Sequence, residues 1–241
     1  MYFVRVVNCS KIIEKVRNSI ALVVALDTNN KPIGTASGFI YQQKGILITC
    51  NHVVKDAGSI VIKFSDSSSY IITKVVLRDE EHDLALLKCE DNTHEPLQPG
   101  DFAKVIEGVE VIFSGYPLSS SDLTTHQGII SNITKDQTSL TSYLIDGTVN
   151  AGNSGCPLMD SDGKVIGVVD ATRRVRGEIL DKIERMSVGA TSLHGVDVVE
   201  IYQSLIKNLQ LGVGHAVPAS YIPEYKEIKP IKAKAVKKLQ K

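Results

Sequence analysis

With 241 residues, 43% hydrophobic and 22% charged, the chain can bury a full core, as one two-barrel domain or two small ones, and it reads as a soluble globular protein. Its 27 basic and 27 acidic side chains cancel, and no apolar run is long enough to span a membrane as a helix, so a helical membrane protein is excluded. The absence of tryptophan, 5% aromatic content and many Ile, Val and Leu residues point to β-rich packing by branched aliphatics.

The N-terminal segment carries charges at Arg5, Lys11, Glu14, Lys15 and Arg17, and the apolar run from Ile20 to Leu26 ends at Asp27 without a small-residue cleavage pattern. No signal peptide is expected. Residues 10–18 have the spacing of a short amphipathic helix, with Ser10 as N-cap and Glu14 near the first turn. A first set of strands is expected at 20–26, 33–41, 45–50, 59–64, 70–78 and 84–88, where apolar runs are broken by Gly, Asn, Asp and Ser.

Two of these runs carry chemistry. Gly45 to Val54 reads as an apolar strand that delivers a histidine beside turn-forming polar residues, which makes His52 a candidate general base. Asp83 stands at the mouth of another apolar run, 84–88, where a half-buried carboxylate can reach an imidazole. His82 is its neighbour, but adjacent residues of an extended segment face opposite ways. His94, His126 and His194 lack comparable surroundings.

A second set of strands is expected near 109–114, 124–133, 139–146, 164–171 and 211–217. Within it, Gly152-Asn153-Ser154-Gly155-Cys156-Pro157-Leu158 presents one serine between glycines, just after one strand-like run and just before another. A serine hydroxyl is a weak nucleophile and needs a base, a group to orient that base, and backbone N–H donors for the developing oxyanion. Helical spacing recurs at 176–186 and 196–209, and the tail from Lys226 to Lys241 holds seven lysines and one acid, best read as a solvated terminus.

The chain order His52, Asp83, Ser154 is that of chymotrypsin-like enzymes rather than of subtilisins or α/β-hydrolases. Thr-Cys-Asn-His-Val-Val, His-Asp-Leu-Ala-Leu-Leu and Gly-Asn-Ser-Gly-Cys-Pro-Leu resemble the trypsin-like peptidases of the HtrA/Deg type, as do Ser37-Gly38-Phe39-Ile40, Gly128-Ile129-Ile130-Ser131 and the segment from Gly212 to Pro218. The resemblance covers about residues 12–222. It implies an all-β fold of two six-stranded antiparallel barrels of the chymotrypsin/trypsin type, with short helices and the active site between the barrels. The domain would be residues 1–222: helix 10–18, barrel one at 19–100, barrel two at 105–222 and a helical insert at 173–209, followed by a basic tail at 223–241.

The resemblance also assigns roles. Ser154 would be the nucleophile, His52 the base and Asp83 its orienting partner, with the backbone N–H groups of Gly152 and Ser154 as the oxyanion hole. The S1 pocket would lie among Thr148, Val149, Val169, Thr172, Gly212 and Gly214, suited to a small or medium apolar P1 residue, unless Asp170 points into it. Asn153 stands where secreted trypsins carry an aspartate that pairs with a newly cut N-terminus. Activation by N-terminal cleavage is therefore not expected, and regulation would act by loop ordering or through an activating protein partner. The family's usual PDZ domain is not expected in the 23 residues after Pro218.

The expected substrate is a protein or peptide, with no cofactor, metal, membrane or nucleic acid involved. The four cysteines, at 9, 50, 89 and 156, have neither metal spacing nor the disulfide framework of secreted trypsins. They read as reduced thiols of a cytoplasmic protein, with Cys50 and Cys156 as small packing residues near the site. The alternative is a latent or inactive protease-fold binding or scaffold protein, and esterase chemistry is a weaker third option.

Overall fold

Strand β1 (Ile20–Leu26) is apolar at every position because both of its faces are covered. Ala21, Val23 and Ala25 point into a core with Leu47, Ile62, Phe64 and Leu87. Ile20, Leu22 and Val24 belong instead to a cluster with Ile48, Leu86, Ile112, Met159 and Val168. The period-two alternation of a strand thus feeds two cores at once.

The computed structural model describes residues 8–136, 138–172, 186–189, 192–202 and 213–225. After β1 come β2 (Pro32–Ile40), β3 (Ile46–Cys50), the short helix α2 (Asn51–Val54), β4 (Ser59–Phe64), β5 (Ile71–Asp79) and β6 (Leu84–Cys89); helix α1 (Cys9–Val16) precedes them. These strands close in the order β1-β2-β3-β6-β5-β4. The second half contributes β7 (Glu110–Gly115), β8 (Thr124–Lys135), β9 (Thr141–Asp146), β10 (Pro157–Met159), β11 (Val165–Asp170), the small hairpin β12 (Ser192–Leu193) and β13 (Val196–Asp197), and β14 (Val213–Pro218). Its barrel closes as β10-β11-β14-β9-β8-β7. Closure leaves neither barrel an unpaired edge.

Barrel two has its own interior, built on Val111, Phe113, Ile130, Ile145, Leu158, Ile166, Val169 and Ala216. The cluster shared by the barrels joins Ile20, Leu22, Phe39, Leu84 and Leu86 of the first to Ile112, Tyr116, Met159, Val165 and Val168 of the second. Each such side chain contributes roughly 1.5–3 kcal/mol when fully buried. The seam between the barrels is therefore a packed core, and loops that cross it inherit its rigidity.

The all-β, two-barrel expectation matches. Several details differ. Helix α1 starts at Cys9, because Asn8, not Ser10, is its cap: the Asn8 carboxamide oxygen accepts from the Lys11 N–H at 3.2 Å. Strand β10, only three residues long, was not among the expected runs. The helix expected from Val196 begins only at residue 198, because Val196 and Asp197 pair with Ser192 and Leu193. Asp197 is the reason: its carboxylate accepts from the Val199 and Glu200 N–H groups at 2.8 and 3.0 Å, the geometry of a helix cap. Residues 203–209, the helical pattern at 176–185 and the lysine-rich stretch 226–241 lie outside the described residues. Among the described residues, no helix is long and apolar enough to cross a membrane.

Candidate active site

Antiparallel register brings His52 and Asp83 together. Cys50 at the end of β3 pairs with Leu84 at the start of β6, so the chain leaving β3 and the chain entering β6 meet at one end of barrel one. There the Asn51 N–H donates to the Asp83 carbonyl at 3.0 Å. The Asp83 carboxylate accepts from the His52 backbone N–H at 2.8 Å and from His52 Nδ1 at 2.6 Å. A carboxylate can only accept, so Nδ1 carries the proton and Nε2 is left as the acceptor that a base requires.

Asp83 has φ of +55°, a left-handed conformation that aspartate tolerates better than most residues. The segment 80–83 is accordingly a turn rather than the extended run assumed from sequence. His82 still faces elsewhere, for a different reason: its Nδ1 meets the Asp79 carboxylate at 2.7 Å and its ring stacks on Tyr221 at 4.2 Å. His94 lies between Asp91 and Asp66 at 2.9 and 3.0 Å, and His126 stacks on Phe113, with burial lowering its pKa.

Ser154 sits on the loop between β9 and β10, and that loop is bonded across the seam to barrel one. The Ser37 N–H of β2 donates to the Ser154 carbonyl at 2.9 Å, and the Gly155 N–H donates to Val169 at 2.8 Å. Gly152 and Gly155 have φ of +96° and +84°, the region that favours glycine. A side chain at Gly155 would run into the Ser37 carbonyl and Thr49 Oγ1, and one at Gly152 into the Tyr116 carbonyl. Since Thr49 and Cys50 lie just before His52, these contacts seat the serine loop against the histidine's own strand. Among the described residues, neither the Gly152 nor the Ser154 N–H has a hydrogen-bond acceptor.

The Ser154 hydroxyl accepts from the Ala171 N–H at 3.1 Å, and the residue is only 4% exposed. Among the described residues no hydrogen bond joins it to His52. The structure thus brings His52 and Asp83 into contact and places Ser154 on the facing barrel, with its hydroxyl turned toward Ala171. Asn153 is fully buried, and its carboxamide oxygen and nitrogen have no partner among the described residues.

Behind the histidine, the Cys50 thiol donates to the Val169 carbonyl at 3.4 Å. Burial, with the carboxylates of Asp170 and Asp83, pushes it far above the ordinary thiol range. Burial does the same to Cys156, so both behave as packing groups. Sγ of Cys50 and ligand atoms of His52 and Asp83 lie within 4.8 Å of one another, close enough to hold a metal ion. The His52–Asp83 bond and the protonated thiol use those atoms without one.

Of the S1 candidates, Val169 is fully buried in the barrel-two core and Val149 packs against the same cluster. Val149 fills the space where a side chain at Gly214 would project. The Asp170 carboxylate accepts from the Thr172 N–H and hydroxyl at 2.9 and 2.6 Å, and the residue is almost completely buried. Thr148 and Thr172 are both exposed, and Gly212 lies outside the described residues. The sequence reading missed the contacts that hold the serine loop: Ser37, Tyr116 and Leu118. Ser37 was legible only as part of a family-like motif, and no local pattern marks the other two.

Residues 36–168, more than half of the chain, match the model of the trypsin-like peptidase domain. The chain is 31% identical over 152 residues to protease Do-like 1, chloroplastic, of Arabidopsis thaliana, covering 59% of this chain and 34% of that protein. It is 33% identical over 148 residues to the serine protease Do-like HtrA of Bacillus subtilis, covering 56% of this chain and 33% of that one. The chain thus spans about a third of the length of these relatives. Among solved structures, the HtrA-type protease AlgW with tripeptide superposes with a TM-score of 0.65 at 23% identity, over 88% of this chain and 60% of that one. This likeness concerns the fold. By the domain match and the two closed barrels, the chain belongs to the trypsin-like peptidase domain family.

Proposed function

We propose that this chain is a serine endopeptidase that cleaves peptide bonds of a protein substrate with the triad His52, Asp83 and Ser154. One observation carries the reading: Asp83 grips His52 at both its backbone N–H and its Nδ1, leaving Nε2 as the acceptor that a base requires, while Gly155, next to Ser154, is seated against Thr49 on the strand that leads to His52. Ser154 Oγ attacks the scissile carbonyl as its proton passes to His52 Nε2. The C–N bond then breaks as that proton moves to the leaving amine. Water, deprotonated by the same histidine, attacks the acyl-enzyme carbonyl and releases the acid with Ser154 restored. The N–H groups of Gly152 and Ser154, without an acceptor among the described residues, take the oxyanion. An S1 pocket bordered by Val149 and Gly214 would take a small or medium apolar P1 residue.

The latent reading has its own support, because Ser154 is nearly buried and hydrogen bonded to Ala171 rather than to His52. In that reading a partner or bound substrate turns the hydroxyl and opens the site. The cysteines favour a reducing compartment such as the cytoplasm, since all four are free thiols, three of them buried. Curated relatives are named chloroplastic or periplasmic, so fractionation of the native source decides the location.

The activity test is labelling of purified protein with a fluorophosphonate probe beside Ser154→Ala. Labelling of the wild type alone is the expected result. A folded wild type that resists the probe overturns the resting-enzyme reading in favour of the latent one.

A further inference from the structure

We propose that Ser37, a buried residue of barrel one, is a positioning residue that sets the oxyanion hole of barrel two. The inference rests on the proposed serine-peptidase reading and concerns how its N–H donors are aimed.

An N–H group points where its peptide plane points, and four planes flank Gly152 and Ser154. The plane between residues 151 and 152 is pinned by the Leu118 N–H, which donates to the Ala151 carbonyl at 2.7 Å. The next is pinned by the Ser37 hydroxyl, which donates to the Gly152 carbonyl at 2.7 Å. The third is held by the Cys156 N–H on the Asn153 carbonyl at 3.0 Å, and the fourth by the Ser37 N–H on the Ser154 carbonyl at 2.9 Å. The donors' own planes are thus held by Leu118 and Cys156, and Ser37 fixes the two planes that follow Gly152 and Ser154, one with its side chain and one with its backbone, so that it sets where each donor's residue sits.

The hydroxyl has little freedom to do anything else. Ser37 is fully buried, and its Oγ accepts from the Tyr116 N–H at 2.9 Å. With that lone pair occupied, its hydrogen is directed at Gly152. Its carbonyl accepts from the Thr49 hydroxyl at 2.8 Å, three residues before His52. Tyr116 also begins the turn whose Leu118 pins Ala151, and Leu118 has φ of +53°. One residue thus couples the histidine's strand through its carbonyl, and the 116–118 turn and the serine loop through its hydroxyl. Alanine at 37 would keep the backbone bond and free the Gly152 carbonyl to rotate, taking the plane beside the Gly152 N–H out of register.

The test compares wild type, Ser37→Ala and Ser37→Cys, the last being close in size with a weaker donor. A fluorophosphonate probe serves because its P=O oxygen occupies the oxyanion hole, and the maximal rate of inactivation and the probe's KI are measured separately. Ser37→Ala is expected to lower the maximal rate roughly 100-fold, the scale of a misplaced catalytic contact, with KI within about threefold and Ser37→Cys in between. The downfield NMR signal of the His52–Asp83 proton is expected to stay unchanged, which a general loss of structure would not allow. A folded Ser37→Ala within threefold of the wild-type rate overturns the proposal. So does full activity in Ser37→Cys if Ser37→Ala fails to fold. A wild type that does not label at Ser154 overturns the resting-enzyme reading on which the positioning role rests, and the positioning role with it.

Discussion

Asp83→Asn isolates the orienting function of the carboxylate, because it keeps the side chain's size and changes only what its two terminal atoms can do. In the wild type those atoms accept from the His52 backbone N–H at 2.8 Å and from Nδ1 at 2.6 Å. Asparagine offers one acceptor and one donor. If its oxygen stays on the backbone N–H, its NH₂ faces Nδ1, which must then give up its proton to Nε2. The imidazole is locked in the tautomer that cannot receive the Ser154 proton. If the amide flips, its NH₂ confronts the backbone N–H and one donor is left unsatisfied in a site where His52 and Asp83 are 25% and 19% exposed. The first arrangement costs less in stability and nearly everything in rate. The expected loss is about 10⁴-fold, or about 5.4 kcal/mol of transition-state stabilisation. The assay is the rate of fluorophosphonate inactivation alongside thermal unfolding. A folded variant that retains more than a tenth of the wild-type rate refutes the assignment of Asp83.

Gly155→Ala combines a left-handed backbone with contact against the Ser37 carbonyl; a loss of about 2–5 kcal/mol is expected, read as a fall in Tm of roughly 10 °C, and an unchanged Tm rules the seam geometry out. Alkylation of the native protein at neutral pH should spare Cys50, Cys89 and Cys156, which are buried, and reach Cys9 alone; modification of Cys50 in folded protein contradicts this. Because burial raises the folded pKa of Cys50 and Cys156, their contribution is intact below the unfolded thiol value and is lost as pH climbs above it. Urea unfolding should show stability falling beyond about pH 9, by up to about 1.4 kcal/mol per pH unit per thiol, whereas a flat profile to pH 10 argues against it. Val149→Ala should shift P1 preference toward larger apolar residues by about tenfold, measured by peptide-library cleavage; an unaltered profile removes Val149 from S1.

What sequence could reveal followed from range. His52 and Asp83 announce themselves because each stands at the end of a run whose period and polarity change there, and β3–β6 register does the rest. Ser154 is flagged by its glycines, which must occupy φ values other residues avoid. Strand β10 is too short for periodicity to register, and the helix starting at residue 198 was misplaced because Asp197 acts as a cap inside an apolar pattern. The contacts of Ser37, by contrast, join residues more than 100 positions apart: to Gly152 by hydroxyl and to Ser154 by backbone. A buried serine in a strand looks the same in sequence whether its hydroxyl bonds a neighbour or another barrel.

Magnitude also separates the active and latent readings. Turning the Ser154 hydroxyl from Ala171 toward His52 gives up one neutral hydrogen bond, worth about 1 kcal/mol net. That biases the hydroxyl by about fivefold, which is small beside the 10⁶-fold or greater accelerations typical of enzymes. Orientation alone therefore cannot silence the triad. The stronger obstacle is access, since Ser154 is 4% exposed and Val149 occupies the space above Gly214. Latency, if present, must come from the loops that cover the serine, and its relief must expose Ser154 while leaving the four pinned peptide planes in place. A small fluorophosphonate and a peptide substrate then need not agree: the probe reports the chemistry of the triad, and the difference between them reports the opening of the pocket.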